Sequence, residues 1–385
     1  MNSFFKLGRR LSNCSREISV FSTSQPNGTN HAWHKAVSEA EKIVGFPTSF
    51  LSLRALLSDE FGGLALHLRK LISTKHPLLN TARGIVFDSK NYLQTRGLVV
   101  LLISKAAGIT DIESDFTSTE IYEKQRALAE VTELIHVAFL VHRGIVDVNQ
   151  IVGNVSKTDI DFGNKLAVLG GDFLLANACT GLAKLQNTQV VDLMSTSIKD
   201  ISSSLVILPE SDSVCDVEML SGLPMNENSW KETVHLSAGS LLSNACRSAM
   251  LLASSDVKLL ESAEKFAHHL VLAQQARHDS LRFDTLEALE QKPNFCCLCS
   301  LPVVLLGEQN GGLEWIKKFA IDEGLKNVKI DVEKLFHTVK NDPNALQQSH
   351  KLCANHVDKA LNYLHVFPQS ESKDALVNIL FSVKE

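Results

Sequence analysis

The sequence predicts an all-α fold, one large helical domain, on three observations. Only 9 Pro and 20 Gly interrupt its 385 residues, so long helices have few breakers. Leu-, Ala- and Ser-rich stretches repeat apolar residues at i, i+3 and i+7, while strand-type alternation is scarce. Hydrophobic residues make up 44% of the chain, enough to bury a sizeable core. No internal repeat and no low-complexity segment stands out.

The elements follow in order. Residues 1–30 are set apart. Lys6, Arg9, Arg10 and Arg16 face a single early acid, Glu17, and Phe4, Phe5, Leu7 and Leu11 gather on one helical side. An amphipathic, Arg- and Ser-rich, acid-poor segment is the pattern of a mitochondrial transit peptide. Residues 31–385 form the helical domain. Helices are predicted at 65–79, closing near Pro77, and at 93–108, stopped by Gly108. Residues 109–119 are polar and read as a loop. The next helix, 126–142, carries Leu128, Val131, Ala138 and Val141 on one stripe. Residues 148–161 again read as a loop. The helix at 165–185 is apolar almost all round, which predicts a central position. Residues 208–229 hold five acids and no base and read as a surface loop. Helices resume at 230–253 and 256–283, and again from about residue 311 with more charge.

Composition excludes some functions. A net charge of -5 argues against a nucleic-acid binder, which would carry a basic excess. The longest uninterrupted apolar run, LVVLLI at 98–103, falls short of the roughly 18–20 residues that span a bilayer, which leaves peripheral membrane association open. Eight irregularly spaced cysteines suit free thiols in a reducing compartment. The phosphate-binding GxGxxG and GxxxxGK[ST] patterns and the hydrolase GxSxG are absent. Glu133 and His136 form an ExxH pair, but a di-iron bundle needs two such pairs and more carboxylates. A polar pair in a helix interface is the simpler reading. Cys296, Cys297 and Cys299 lack a second Cys/His pair nearby for zinc. His268, His269 and His278 lie on one helix, with the outer two about 80° apart in phase.

ELIHVAFLVHRGIVD followed by FGNKLAVLGGDFLLA, and AEKFAHHLVLAQQARHDSLRF at 263–283, carry a resemblance. The chain is similar to the trans-polyprenyl diphosphate synthases from about residue 46 to its C-terminus. That resemblance implies the isoprenoid synthase fold, with helices around a central cavity. It implies the joining of isopentenyl diphosphate to an allylic diphosphate. In the family, two DDxxD motifs hold Mg²⁺ against the leaving diphosphate, because hard cations on carboxylates neutralise its charge. Here HDDxxD falls on His142, Arg143, Gly144, Ile145, Val146 and Asp147. The second motif falls on His278, Asp279 and Arg282, with Gln275, Leu281 and Phe283 matching. Only Asp147 and Asp279 remain of six aspartates. Arg96 alone matches the segment that binds isopentenyl diphosphate, and the later Lys-Thr pair falls near Ser237 and Ala238. A cation 4 Å from Arg143 would be repelled by ~4 kcal/mol per unit charge at an effective dielectric of 20.

The resemblance is to the branch of the family in which a subunit lacks intact metal motifs. It implies a non-catalytic or regulatory subunit of a heteromeric synthase that makes the ubiquinone side chain in mitochondria. It implies a catalytic partner, in a heterotetramer, that carries the Mg²⁺. This chain is then expected to have no catalytic residues, no bound cofactor and no metal, and to meet prenyl diphosphates through the partner. Two alternatives remain open. One is an active prenyltransferase with altered ligands at Asp147, Asp279 and His278. The other is an interaction protein that binds prenyl lipid.

Overall fold

A computed structural model describes residues 31–45, 95–108, 115–145, 157–207, 215–253, 256–290, 297–324 and 327–384. The predicted helix at 65–79 and the proposed transit segment lie outside them. The first half contributes α1 (His31–Val44), α2 (Thr95–Ala107), α3 (Asp115–His142), α4 (Lys157–Lys184) and α5 (Thr188–Ile207). A two-residue strand β1 (Cys215–Asp216) leads to α6 (Glu227–Val234), a π-helical turn (His235–Gly239) and α7 (Ser240–Leu251). Then come α8 (Val257–Leu281), α9 (Leu286–Glu290), α10 (Leu301–Asn310) and α11 (Leu313–Ile316). Strands β2 (Ala320–Gly324) and β3 (Asn327–Ile330) precede α12 (Val332–Asn341), α13 (Pro343–Leu364) and α14 (Glu371–Lys384).

The core sits around α7 and α8. Leu241, Leu242, Ala245, Cys246 and Ala249 of α7 are sealed from solvent because α2, α3, α5 and α8 all pack around it. The face of α8 bearing Phe266, Leu270 and Ala273 is buried against α7 and α13. A second apolar cluster gathers Phe283, Leu289, Trp315, Phe319 and Leu335 beyond the C-terminal end of α8. That end therefore lies at the junction of two cores.

The structure corrects several boundaries. Residues 115–119 and 157–161, read as loop, are the first turns of α3 and α4. One turn further along α3, Glu120–Lys124 at 2.8 Å shows the i, i+4 pairing of a solvated helix face. The acidic stretch 208–229 is not wholly a surface loop. β1 pairs antiparallel with β3, Leu220 and Leu223 are buried in the second cluster, and α6 begins at Glu227 behind an Asn226–Ser229 capping box. The segment after 311 also holds two strands, so an antiparallel sheet in the order β1-β3-β2 interrupts the helices.

The largest correction concerns α4. It is long and apolar enough to cross a membrane by length and composition, yet it is not central. It lies against α3 through Ala167, Leu174, Ala178 and Leu182, while Leu169 is 66% exposed and Phe173 40%. Small residues bring the two helices close. A Cβ on Gly181 would stand 2.5 Å from Val131 Cγ2, and one on Gly171 2.1 Å from the His142 ring.

Candidate functional site

The second metal motif sits at the C-terminal end of α8, where Asp279 is 1% exposed. Both oxygens of its carboxylate accept hydrogen bonds from the protein. Trp230 Nε1 on α6 donates to Oδ2 at 3.0 Å, and the Leu301 N–H donates to the same oxygen at 2.9 Å. Gln275 Nε2, one turn earlier on α8, donates to Oδ1 at 2.6 Å. Leu301 opens α10, so the carboxylate also meets the positive end of that helix. Burial raises the Asp279 pKa. The neighbouring Arg282 charge and the three hydrogen bonds oppose that shift. His278 is buried beside it, with Nδ1 3.9 Å from Asp279 Oδ1. A divalent ion at Asp279 would have to enter a site 1% exposed and compete with Trp230, Leu301 and Gln275 for its oxygens. Its neighbours on the motif, an imidazole and a guanidinium, are not hard oxygen ligands. This donor set does not fit Mg²⁺.

The first motif follows α3. The helix ends at His142, and Arg143 and Gly144 form a turn closed by Arg143 N–H to Phe139 O at 3.0 Å and Gly144 N–H to Val141 O at 2.9 Å. His142 Nε2 lies 3.3 Å from Val168 O and 3.3 Å from Asp172 Oδ1, so it ties α3 to α4. Asp147 lies outside the described residues. Arg96, in the first turn of α2, is 1% exposed. Burial brings its pKa down to about 10, with Glu133 opposing and Arg143 adding to the shift.

Glu133 explains the ExxH pair. It is sealed from solvent, and its Oε1 accepts the Gly97 N–H at 2.7 Å, so it caps the N-terminus of α2 from α3. Burial lifts its pKa to about 7 against the pull of the Gly97 N–H and the Arg96 charge. His136 is buried too, and desolvation with two nearby arginines holds its pKa well below the usual value. Glu133 is thus an interface device between α2 and α3.

Arg96, His136, Arg143 and Ser237 line one pocket, with Ile201 and Leu241 among its apolar walls. It leaves room for little more than a water molecule. The structure thus gathers the relics of the diphosphate-binding segment, the first motif and the Lys-Thr position. His278, Asp279 and Arg282 do not line it. Cys297 is buried with its Sγ 3.9 Å from Leu289 O, Cys299 is half-buried, and Cys296 lies outside the described residues. His268 and His269 are brought not to His278 but to His235 and His356. Ring centroids lie 5.1–5.5 Å apart along this row, and His269 Nδ1 is 3.1 Å from His356 Nδ1. Among the described residues, no group of three or more such side chains could hold a metal. Sequence reasoning missed Trp230, His235 and His356. No local pattern marks them, since each meets its partner only through folding.

The helices and their packing define a class. A polyprenyl synthase from Caulobacter crescentus, solved with calcium and isoprenyl diphosphate, superposes with a TM-score of 0.62 at 19% identity, over 94% of this chain and 99% of that one. The fold is the all-α isoprenoid synthase fold. Sequence then gives the family. The polyprenyl synthetase family matches residues 90–308, and the human all trans-polyprenyl-diphosphate synthase PDSS2 is 44% identical over 356 residues, 91% of this chain and 87% of its own. The chain belongs to the polyprenyl synthetase family. A probable mitochondrial hexaprenyl pyrophosphate synthase from Yarrowia lipolytica is 27% identical over 91% of this chain and 88% of its own.

Proposed function

We propose that this chain is a non-catalytic subunit of a heteromeric trans-polyprenyl diphosphate synthase, one that makes the ubiquinone side chain in mitochondria. The observation that carries the reading is Asp279. The second-motif aspartate in place spends both oxygens on Trp230, Leu301 and Gln275, and Arg143 stands where the first motif needs a carboxylate. The Mg²⁺-dependent ionisation of the allylic diphosphate then belongs to a partner with both motifs intact. Residues 1–30 act as the import signal and 31–385 as the synthase-like domain. The similarity to a mitochondrial hexaprenyl synthase supports the compartment.

The exposed face of α4 supports the partner. Val168, Leu169, Phe173 and Cys179 are exposed on it, within an arc of about 140° that also carries Asp172. Large apolar side chains exposed together on a surface helix suit a protein contact. In a heterotetramer this face is covered, and the chain contributes walls rather than ligands to the chain-elongating assembly.

The test is co-expression. This chain, a catalytic partner and the pair receive labelled isopentenyl diphosphate, farnesyl diphosphate and Mg²⁺, and product length is read by chromatography. Long-chain product from the pair alone is expected, with Cys179 losing its reactivity to a thiol reagent in the complex. Turnover by this chain alone, or full activity of the partner without it, defeats the proposal.

A further inference from the structure

The histidine row lies apart from both metal-motif relics and has no part in the function proposed above. His235 belongs to the π-helical turn, His268 and His269 to α8, and His356 to α13. Its closest pair joins two helices. His269 Nδ1 stands 3.1 Å from His356 Nδ1, across the contact where α13 packs along α8. His356 is 2% exposed and His269 is half-buried, so the core holds the pair on one side and solvent reaches it on the other. Tyr363 of α13 stacks on the His269 ring, with centroids 5.7 Å apart and planes 27° apart, which fixes that ring's orientation. Burial, with neighbouring histidines and lysines adding, brings His269 down to about 4 and His356 to about 3. Near neutral pH no proton competes for the lone pairs of either ring.

We propose that His269 and His356 form a two-imidazole site for a transition-metal ion of the zinc class, which bridges α8 and α13. Two nitrogens at roughly 2.0–2.1 Å from one Zn²⁺ stand about 3.3 Å apart at the tetrahedral angle, close to the 3.1 Å found here. Without the ion, the contact is an N–H···N hydrogen bond between neutral rings. On binding, the donating ring moves its proton from Nδ1 to Nε2, so both Nδ1 lone pairs face the ion and no proton leaves the protein. Imidazole suits Zn²⁺, Ni²⁺ and Cu²⁺, whereas Mg²⁺ demands oxygen ligands, so this site differs in kind from one built on aspartates. Among the described residues, no third metal-binding side chain joins the pair. Water therefore fills the remaining positions on the open His269 side, and the ion exchanges with solvent. The charges that act on the row are Lys231, Lys265, Lys359 and Glu264. Lys231 is paired with Glu227, and Lys265 and Lys359 are exposed, where solvent and salt screen their repulsion of a cation. The bound ion clamps α13 to the helix whose far end carries Asp279.

The experiment is titration of the full-length chain, its exposed thiols alkylated, with Co²⁺ read by visible absorption. Zn²⁺ follows, read by displacement of Co²⁺ and by the melting temperature. One site with nitrogen and oxygen ligands and no thiolate band is expected. Zn²⁺ should displace the Co²⁺ and raise the melting temperature, because it binds the folded chain. Excess Mg²⁺ should do neither. His269→Gln should weaken Zn²⁺ binding by about tenfold or more, since losing a partner that merely orients a ligand already costs a metal site 10–100-fold. His356→Asn provides a second variant should His269→Gln fail to fold, with a loss of the same size. No binding in the micromolar range, a spectrum with thiolate ligation, displacement by Mg²⁺, or unchanged affinity in both His269→Gln and His356→Asn overturns the site.

Discussion

Replacing Asp279 separates a structural carboxylate from a catalytic one. Asp279→Ala removes the acceptor for the indole of Trp230 and for the first N–H of α10, both buried. Each stranded donor costs about 1–3 kcal/mol. Gln275 is half-exposed and can turn to water, so it adds little. The sum is about 2–6 kcal/mol, a large share of the 5–15 kcal/mol that holds a typical domain. Asp279→Asn differs. Its amide oxygen can still accept from Trp230 and Leu301, and its NH₂ can meet Gln275 once that side chain turns its oxygen inward. Only the charge is lost, along with the attraction to Arg282. The cost should be about 1–2 kcal/mol, the difference between charged and neutral hydrogen bonds. Urea unfolding of the three proteins measures this, with near-ultraviolet circular dichroism reporting the packing of Trp230. In the co-expressed complex, Asp279→Asn should leave product formation per folded complex unchanged. If Asp279→Asn abolished turnover while the complex remained assembled and stable, the carboxylate would be a metal ligand and the reasoning would fail.

Three other predictions follow from the same geometry. Glu133 has a folded pKa of about 7, above its unfolded value of about 4.3, so the stability it contributes is present at low pH and is lost as pH rises through 7. Thermal unfolding of Glu133→Gln between pH 5 and 8 should show a flatter decline than wild type, and parallel curves would refute the assignment. The row of histidines acts in the opposite direction. Burial depresses His268 and His269 to about 4 and His356 to about 3, so stability falls as pH drops from 6.5 toward 4 and the unfolded chain takes up protons first. His356→Asn should soften that acid limb, and an unchanged midpoint of acid unfolding would count against it. At the α3–α4 contact, Gly181→Ala drives a methyl against Val131 and should cost about 1–3 kcal/mol of overpacking, offset by up to about 1 kcal/mol of helix propensity. Adding Val131→Ala should recover part of the loss, so a double-mutant cycle with no positive coupling would show that the helices simply move apart.

Much of the fold was legible because long amphipathic helices write their period into the sequence. α2 and α8 stand within two residues of where apolar spacing and Gly108 put them, and the predicted helix at 230–253 is met by α6, the π-helical turn and α7, from Glu227 to Leu251. The failures have physical causes. β1 has two residues and β3 four, too short for alternation to register. α4 carries large apolar residues outward as well as inward, and apolarity alone cannot tell a helix buried inside a chain from one that keeps Leu169 and Phe173 exposed. The loss of the metal motifs was visible as residue types. What replaced the metal was not visible. Trp230 and Leu301 stand 49 and 22 positions from Asp279, and only folding brings them to it. Likewise, Glu133 reads as part of a polar pair in a helix interface, but its partner Gly97 stands 36 positions away and is named only by the fold.

The π-helical turn has a consequence for both regions. α6, the turn and α7 run on as one rod, since the backbone at Val234, His235, Gly239 and Ser240 stays in the right-handed helical region. Trp230, which grips Asp279, and Ser237, which lines the arginine pocket, stand seven residues apart on it, about 10 Å. A π-turn holds one more residue than an α-turn, which sets the angular phase between the two ends off by about 100°. Deleting a single residue between 235 and 239 would restore a plain α-helix and swing one end relative to the other. Either Trp230 would miss its carboxylate or Ser237 would leave the pocket. The extra residue works as a phase shim between Trp230 and Ser237 on one continuous helical run.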